Sequence, residues 1–416
     1  MEPGISLLVL QYLEMRELLQ VMSTSKAFWR CATQDLIWSE ICVVFFPYVE
    51  VGGDFYAYFR ANKQHFLDLA QNLCGLLSYL EIHSNNSRMS SSFARTANPL
   101  ARQIYPKLTC SSEDYLASVS LPASEAVSLR TISKAIIRAF EVNWNCEMPL
   151  ELYYFYLLHN GQEASHFAPS ILGSYKFNNH FVNPVFLPLL FDREHSPHWF
   201  QIANCPYSQL QIVVDVSDIL GKGKGAVCFS TNIHNTVLYA APSLAALFAL
   251  TLRKLQGGVL ELTEFTLNAF ERNECSSSAV TEGVAIHARS QFVPHQSDFN
   301  QYLWAYEVTI GPESPRKRWK LVSRKWEIGD VSGFRHTVEG SGVVGLHPEV
   351  FRGSEVVTYE SCCLLQAPEG WMQGSFQFVN MDDPSETLSA RVDRFSLRLP
   401  QGSELLQVPR LRTSSN

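Results

Sequence analysis

The sequence predicts a multidomain α+β protein with a helical N-terminal region, a mixed α+β middle region and a C-terminal antiparallel β-sandwich. Its 416 residues are enough for two to four domains at roughly 150 residues per domain. Apolar residues recur with helical spacing up to Leu80, whereas from Val284 onward short alternating runs are separated by turn residues. Hydrophobic residues make up 46% of the chain, so we expect packed cores.

Shifts in composition divide the chain into five segments. They are a helical domain (1–47), a helical linker (48–107), an α+β domain (108–275), a β-sandwich (276–405) and a polar tail (406–416).

The overall composition disfavours several classes of function. A net charge of −7 is unlike that of proteins that bind nucleic acid without sequence preference. The apolar run from Leu238 to Leu252 is too short to span a bilayer and contains Pro242, and the start has no basic segment typical of a secretory signal. The ten cysteines are scattered without a CxxC pair. We therefore expect reduced thiols in the cytoplasm or nucleus, and no metal, cofactor, nucleic acid or membrane partner.

The N-terminal segment is unusually apolar for its size. From Ile5 to Met22, 12 of 18 residues are apolar, which exceeds the single stripe of a surface helix. A domain of about 40 residues cannot bury that much surface alone. It must dock either on the next domain of this chain or on a partner. The candidate partner-binding face comprises Ile5, Val9, Leu10, Leu13, Leu18 and Trp38.

Three short motifs in this segment occur in a characteristic order: Arg16-Glu17-Leu18-Leu19-Gln20-Val21, then Ser25-Lys26-Ala27-Phe28-Trp29, then Asp35-Leu36-Ile37-Trp38. Together they resemble the F-box family. The resemblance implies a three-helix domain that binds the Skp adaptor and, through it, the cullin and RING subunits of a ubiquitin ligase. The chain departs from the family at Met1-Glu2, followed by Pro3, where the family has Leu-Pro.

The linker and the middle segment alternate between helical and strand-like patterns. Helical spacing runs from Phe55 to Leu80, and a second amphipathic helix is predicted from Ser124 to Phe140. Pro149 suits the first turn of a further helix, which Asn160-Gly161 would end. Short strand-like runs and a last helix, Leu244 to Leu255, follow. This order resembles the SUKH (Smi/Knr-like) family, which implies an α+β protein-binding module.

Two motifs of the middle segment invite a chemical interpretation. Histidine and cysteine are common metal ligands, and His195, His198 and Cys205 lie close together in the sequence. However, Pro197 between the two histidines indicates a turn, so we favour exposed loop histidines over a metal site. The glycines around Lys222 lack the spacing of a phosphate loop, so we expect a solvated hairpin tip.

The C-terminal segment contains a glycine motif among its strands. Gly340, Gly342 and Gly345 match GxGxxG, but a dinucleotide site needs a helix after this loop, and Pro348 disfavours one. We therefore expect a turn of the β-sandwich. A small anion on the backbone N–H groups of the turn stays open as an alternative.

Several motifs of this segment occur in a fixed order: Tyr302-x-x-x-Tyr306, Leu321-x-x-Arg324-x-Trp326-x-Ile328, Gly340-x-Gly342-Val343-Val344-Gly345-x-x-Pro348, Tyr359-Glu360-Ser361 and Gly370-x-Met372-x-Gly374-x-Phe376. They resemble the ApaG family. The resemblance implies an immunoglobulin- or fibronectin-like sandwich without established catalytic residues. Trp371, where the family often has a small residue, could anchor a partner or pack on a neighbouring strand. For the basic cluster 316–320 we favour a solvated loop over contact with an acidic partner or RNA.

The order of the three resemblances is more specific than any single motif. It resembles the F-box only protein 3 family and implies a non-catalytic, substrate-recognising subunit of a Skp–cullin–F-box ubiquitin ligase. The C-terminal domains would bind protein substrates, which the sequence does not name. Two alternatives stay open: an interaction module without a ligase role, and a small-ligand or nucleotide binder at the Gly340–Gly345 turn. No catalytic motif with family spacing is present in the sequence.

Overall fold

The structure is a computed structural model. It describes residues 55–83, 141–142, 147–158, 161, 170–187, 196–230, 236–263 and 267–408. The predicted F-box-like domain, with its candidate partner-binding face, lies outside these residues. So do the predicted helix from Ser124 to Phe140 and residues 409–416. Within the described part of the chain, every helix is too short or too polar to cross a membrane.

Three helices pack together in the middle of the chain: α1 (Phe55–His83), α2 (Leu150–Leu158) and α3 (Leu244–Gln256). Helix α3 begins where the Ser243 hydroxyl accepts a hydrogen bond from the Ala246 N–H at 3.1 Å, and it ends before Gly257. The Glu151 carboxylate of α2 also accepts the N–H groups of Leu244 and Ala245, at 3.0 and 2.7 Å. Glu151 therefore satisfies two donors that a helix N-terminus leaves unpaired.

Helix α1 was predicted as part of a linker, but it belongs to this helical layer. The apolar side of α1 is buried, and the Tyr79 hydroxyl donates to the Leu255 carbonyl of α3 at 3.2 Å. A Cβ on Gly75 would lie 3.1 Å from the Leu252 side chain, so the two helices approach closely. The predicted helical pattern is observed, and its buried residues are Leu69, Ala70, Leu73, Leu76, Leu77 and Leu80.

Nine strands accompany these helices in the described part of the middle domain. They are β1 (Tyr175–Phe177), β2 (His180–Val182), β3 (Val185–Phe186), β4 (Trp199–Asn204), β5 (Gln211–Asp215), β6 (Val227–Ser230), β7 (Thr236–Ala241), β8 (Glu261–Leu262) and β9 (Leu267–Asn268). Strands β3 to β7 form an antiparallel sheet in sequence order, whereas β1–β2 and β8–β9 are separate hairpins. The rings of Phe155, Phe186 and Phe248 lie 5.3 to 6.2 Å apart, which joins α2, β3 and α3.

The C-terminal segment is the predicted antiparallel sandwich. Its strands are β10 (Ser276–Thr281), β11 (Val284–Phe292), β12 (Tyr302–Pro312), β13 (Trp319–Asp330), β14 (Arg335–Ser341), β15 (Glu349–Val350), β16 (Val357–Leu365), β17 (Glu369–Asn380) and β18 (Thr387–Arg398). One sheet has the order β10-β11-β12-β16, and the other β14-β13-β17-β18 with β15 paired to β13. The buried Trp304, Trp319, Trp326 and Phe376 belong to the core of the sandwich.

The final strand, β19 (Glu404–Gln407), leaves the sandwich and pairs with β7. It is the sixth strand of the middle sheet, whose order is β19-β7-β6-β5-β4-β3. Leu405 packs into the same cluster as the sandwich core, and Leu406 packs against the cluster of Val213, Cys228 and Val237. The predicted boundary between residues 405 and 406 is thus wrong, because it divides a strand that belongs to the middle sheet.

A second apolar cluster joins the two domains. Tyr175, Phe177 and Phe270 from the middle domain pack with Val293 and Ala305 from the sandwich. The two domains therefore share buried surface in addition to the shared sheet.

His295 lies at this junction, in a short 3₁₀ turn (Pro294–Gln296), with its ring 6.2 Å from that of Phe177. Its side chain is buried, and neither ring nitrogen has a hydrogen-bond partner among the described residues. Burial, with a smaller contribution from His180, lowers the pKa of His295 from 6.5 to about 4. The folded protein therefore holds His295 neutral where the unfolded chain would protonate it.

We predict that His295 makes the fold sensitive to mild acid. Because its pKa is depressed in the folded state, its contribution to stability is complete above pH 6.5 and is lost as the pH falls towards about 4. At about 1.4 kcal/mol per pKa unit, the total loss is about 3 kcal/mol. Urea unfolding at pH 7 and pH 5 should show a smaller drop in the free energy of unfolding for His295→Gln than for wild type. Exposed His287 supplies the control, since His287→Gln should keep the wild-type drop. An unchanged drop in His295→Gln would contradict the assignment.

Candidate interaction sites

The predicted glycine motif is a tight turn between two strands. Val343 and Leu346 exchange both backbone hydrogen bonds at 2.8 Å, and the two residues between them, Val344 and Gly345, have φ of +47° and +78°. This is the geometry of a type I′ turn. The chain then enters β15, whereas a dinucleotide site needs a helix at this point.

The polar groups of this turn are arranged unfavourably for an anion. The Gly342 N–H donates to the Val322 carbonyl at 2.8 Å, so it faces the protein. The Arg324 guanidinium donates to the carbonyl oxygens of Ser341 and Gly342, at 3.3 and 2.7 Å. Its N–H groups are therefore already used by the protein instead of facing a bound anion. A Cβ on Gly340 would lie 3.0 Å from that guanidinium. This geometry favours structural roles for Gly340, Gly342 and Gly345.

Trp371 lies half-buried on the outer face of the second sheet. A Cβ on Gly329, its neighbour on β13, would lie 2.5 Å from the indole, so this glycine makes room for the ring. The Arg394 guanidinium lies 3.8 Å from the ring centroid, as in a cation–π contact. Because the indole is held by both neighbours, the arrangement favours packing on the adjacent strand over a free anchor for a partner.

The basic cluster 316–320 is largely neutralised by nearby carboxylates. Lys317 pairs with Glu386, and Arg318 lies 3.8 Å from Asp382. These pairs are exposed and contribute little to stability. Residues 316–318 form the predicted solvated loop, but the prediction is wrong for Trp319 and Lys320, which begin β13 with Trp319 buried in the core.

His198 contributes to a trio that superficially resembles a catalytic triad. Its Nδ1 atom lies 2.7 Å from the Ser217 hydroxyl, and that hydroxyl lies 3.5 Å from Asp215. In a triad the carboxylate orients the histidine, whereas Asp215 here accepts the backbone N–H groups of Ile219 and Leu220 at 3.2 and 3.1 Å. The trio therefore shapes the turn after β5. His198 is half-buried, so the prediction of an exposed loop histidine is wrong for this residue.

The described cysteines and histidines form no cluster suited to a metal. Within the part of the chain that the structure describes, no group of three or more His, Cys, Asp or Glu side chains is arranged to hold a metal ion. Cys205 accepts a hydrogen bond from the Asn183 N–H at 3.2 Å, and His195 lies outside the described residues. Adjacent Cys362 and Cys363 are free thiols: Cys362 accepts from the Asn178 side chain, and Cys363 contacts the Met372 sulfur.

The glycine-flanked lysines of the middle domain form a hairpin tip, as predicted. Gly221, Gly223 and Gly225 have φ between +65° and +98°. Lys222 pairs with Glu404 of β19 at 2.6 Å, so the tip contacts the returning strand, and Lys224 is exposed.

Sequence reasoning missed a concave site between the two domains. An interdomain groove of about 640 Å³ lies between the end of α3 and the sandwich, beside an apolar cavity of about 120 Å³. The residues that line both are Leu250, Lys254, Glu271, Gln291 and Pro400. They are brought together only by the domain junction, so no local motif could have indicated the site.

Comparison with known proteins relates this architecture to two groups. The ApaG domain family matches residues 293–380. The chain is 39% identical over 124 residues to protein ApaG of Anaeromyxobacter dehalogenans, an alignment that covers 30% of this chain and 96% of that protein. It is also 21% identical to F-box only protein 3 of Rattus norvegicus and of Homo sapiens, over 95% of this chain and 80% and 81% of those proteins.

These matches define the chain as a multidomain protein whose β-sandwich is an ApaG domain. Over 95% of its length the chain is also similar to F-box only protein 3. The predicted resemblances to the ApaG family and to F-box only protein 3 are thereby confirmed, whereas the resemblance of the middle segment to the SUKH family stays a prediction.

We predict that alanine substitutions at two glycines of the Gly340–Gly345 turn lower the free energy of unfolding by different amounts. In Gly342→Ala, the new Cβ would lie 2.3 Å from the Leu346 carbonyl oxygen at a φ of +57°, so we expect a loss of more than about 2 kcal/mol in the free energy of unfolding. Gly345→Ala is the control, because its φ is +78° but its Cβ would meet open space. Only the backbone strain, about 1 kcal/mol, should remain. Equal losses in urea unfolding would contradict the close approach of Gly342 to the Leu346 carbonyl.

Proposed function

We propose that this chain is a substrate-recognition subunit of a Skp–cullin–F-box ubiquitin ligase. The observation that carries this proposal is the alignment with F-box only protein 3, which extends over 95% of the chain and so beyond the ApaG domain. In this proposal the chain performs no bond chemistry. It acts by raising the effective concentration of a substrate lysine near the conjugating enzyme.

The proposal assigns adaptor binding to the N-terminal segment, residues 1–47, as a three-helix F-box. Its candidate face consists of Ile5, Val9, Leu10, Leu13, Leu18 and Trp38. Burial of four such aliphatic side chains contributes about 6–12 kcal/mol before the entropy of association is subtracted, which is of the order needed for micromolar binding. The Skp adaptor would connect this face to the cullin and RING subunits.

The proposal assigns substrate binding to the rest of the chain, with residues 108–275 as a SUKH-like domain beside the ApaG domain. Support comes from the shared sheet and the shared apolar cluster, which hold these two domains in one arrangement. A fixed arrangement suits an adaptor, because the substrate must be presented in a limited range of orientations. A cytoplasmic or nuclear location is part of the same proposal.

The prediction concerns adaptor binding by the full chain. The wild type should retain purified Skp adaptor and cullin. Leu10→Asp or Leu13→Asp should reduce the retained amount at least about tenfold, because each substitution places a charge in an apolar contact. Gln11→Asp adds the same charge at a polar position of the same segment and should retain both partners. The measurement is a quantitative pull-down, with folding checked by circular dichroism.

Two results would contradict this role. Retention of the adaptor by both leucine variants would place its binding elsewhere on the chain. No retention by the wild type, repeated with a Leu-Pro start in front of Pro3, would leave an interaction module without a ligase role.

A further inference from the structure

The interdomain groove and the apolar cavity behind it form one continuous concave site. The groove is lined by the last turns of α3, by residues 271–275 and by residues 398–401 of the sandwich. The cavity adjoins it and lies between α3 and the middle sheet. At about 640 Å³, the groove falls within the usual range of ligand-binding sites, which often occur at domain interfaces.

The apolar cavity has the size of one large side chain. Its volume of about 120 Å³ is similar to that of cavities that hold a single benzene ring. Leu247 and Leu250 of α3 and Leu238 of β7 contribute to its lining. Tyr175 also lines it; this residue is 8% exposed, and its hydroxyl has no hydrogen-bond partner among the described residues.

The charges around the groove are uneven. Lys254 and Glu271 form an ion pair at 2.5 Å where the cavity meets the groove, with side chains only 18% and 17% exposed. Arg398 pairs with two carboxylates, Glu274 at 2.6 Å and Glu369 at 2.5 Å. Arg253 also lines the groove, and no carboxylate of the described residues pairs with it. Arg253 is therefore the one cation of the groove lining without a carboxylate partner among the described residues, and it favours an anionic group on the occupant.

We propose that this site binds a short extended segment of a protein substrate, in which one large apolar side chain is adjacent to acidic residues. The apolar side chain enters the cavity, and the neighbouring carboxylate approaches Arg253. The groove has room for a few residues of extended chain, with polar groups such as Asn273, Ser290 and Gln291 along it. This assignment rests on the proposed role in substrate recognition and locates the recognising surface at the junction of the two domains.

The test measures the affinity of three fluorescein-labelled peptide amides for the full chain by fluorescence anisotropy. The peptides are Gly-Asp-Leu-Asp-Gly, Gly-Asp-Ala-Asp-Gly and Gly-Lys-Leu-Lys-Gly. The first should bind at least about tenfold more tightly than the other two, because only it supplies both the apolar anchor and the negative charge.

Two variants then locate the binding. Thr251→Phe fills the cavity from α3, and Arg253→Glu reverses the unpaired charge at an exposed position. Each should weaken binding of the Asp-Leu-Asp peptide about tenfold or more, whereas the control Lys224→Glu, on the exposed hairpin tip, should leave it unchanged. Because Arg253→Glu replaces a surface side chain, it tests the site even if Thr251→Phe fails to fold.

Three results would overturn the assignment: equal affinity for the three peptides, no binding up to millimolar concentration, or binding that Arg253→Glu leaves unchanged. The adaptor pull-down, repeated with the same variants, distinguishes failure of the proposed ligase role from failure of the groove assignment. Adaptor retention without peptide selectivity would refute the groove alone. Peptide selectivity without adaptor retention would keep the groove as a peptide site and refute the ligase role.

Discussion

The return of the chain from the sandwich to the middle sheet is the contact on which the remaining structure depends. Strand β19 joins β7, and its two leucines pack on opposite sides: Leu405 with the sandwich core and Leu406 with the middle domain. Burial of Leu405 contributes about 1.5–3 kcal/mol before entropy is subtracted, and the half-buried Leu406 contributes less. Together with the cluster around Phe177, this crossover holds the two domains in one relative position and thereby creates the groove between them.

This constraint explains why the candidate sites suggested by the sequence and those formed by the fold differ. The glycine turn and Trp371 are satisfied within the sandwich, the former by Arg324 and internal backbone bonds, the latter by Gly329 and Arg394. The concave surface lies instead at the junction. In the proposed adaptor role, a substrate surface built from two rigidly joined domains keeps the bound segment in a defined orientation.

Local patterns allowed much of the fold to be predicted. Strong alternation indicated β11 and β12, and the apolar spacing after Ser243 indicated α3, because burial on one face imposes a period on the sequence. Strands β10 and β14 are polar edge strands without an apolar face, so they leave little pattern in the sequence. Strand β19 was missed because four residues give little pattern, and its partner lies in another domain. The groove was missed because its lining residues come from two domains that are distant in sequence. The assignment of the N-terminal segment rests on its resemblance to the F-box family and on the similarity to F-box only protein 3.

The most direct test of the joined-domain account is native-state hydrogen exchange of the full chain, measured by mass spectrometry at increasing denaturant concentration. If the two domains unfold as one cooperative unit, amides of β7 and β12 should open with the same free energy. Leu405→Asp should lower that free energy for both strands, because it places a charge in their shared core. The account would be contradicted if β12 stayed protected while β7 opened separately in the wild type, or if Leu405→Asp affected β7 alone.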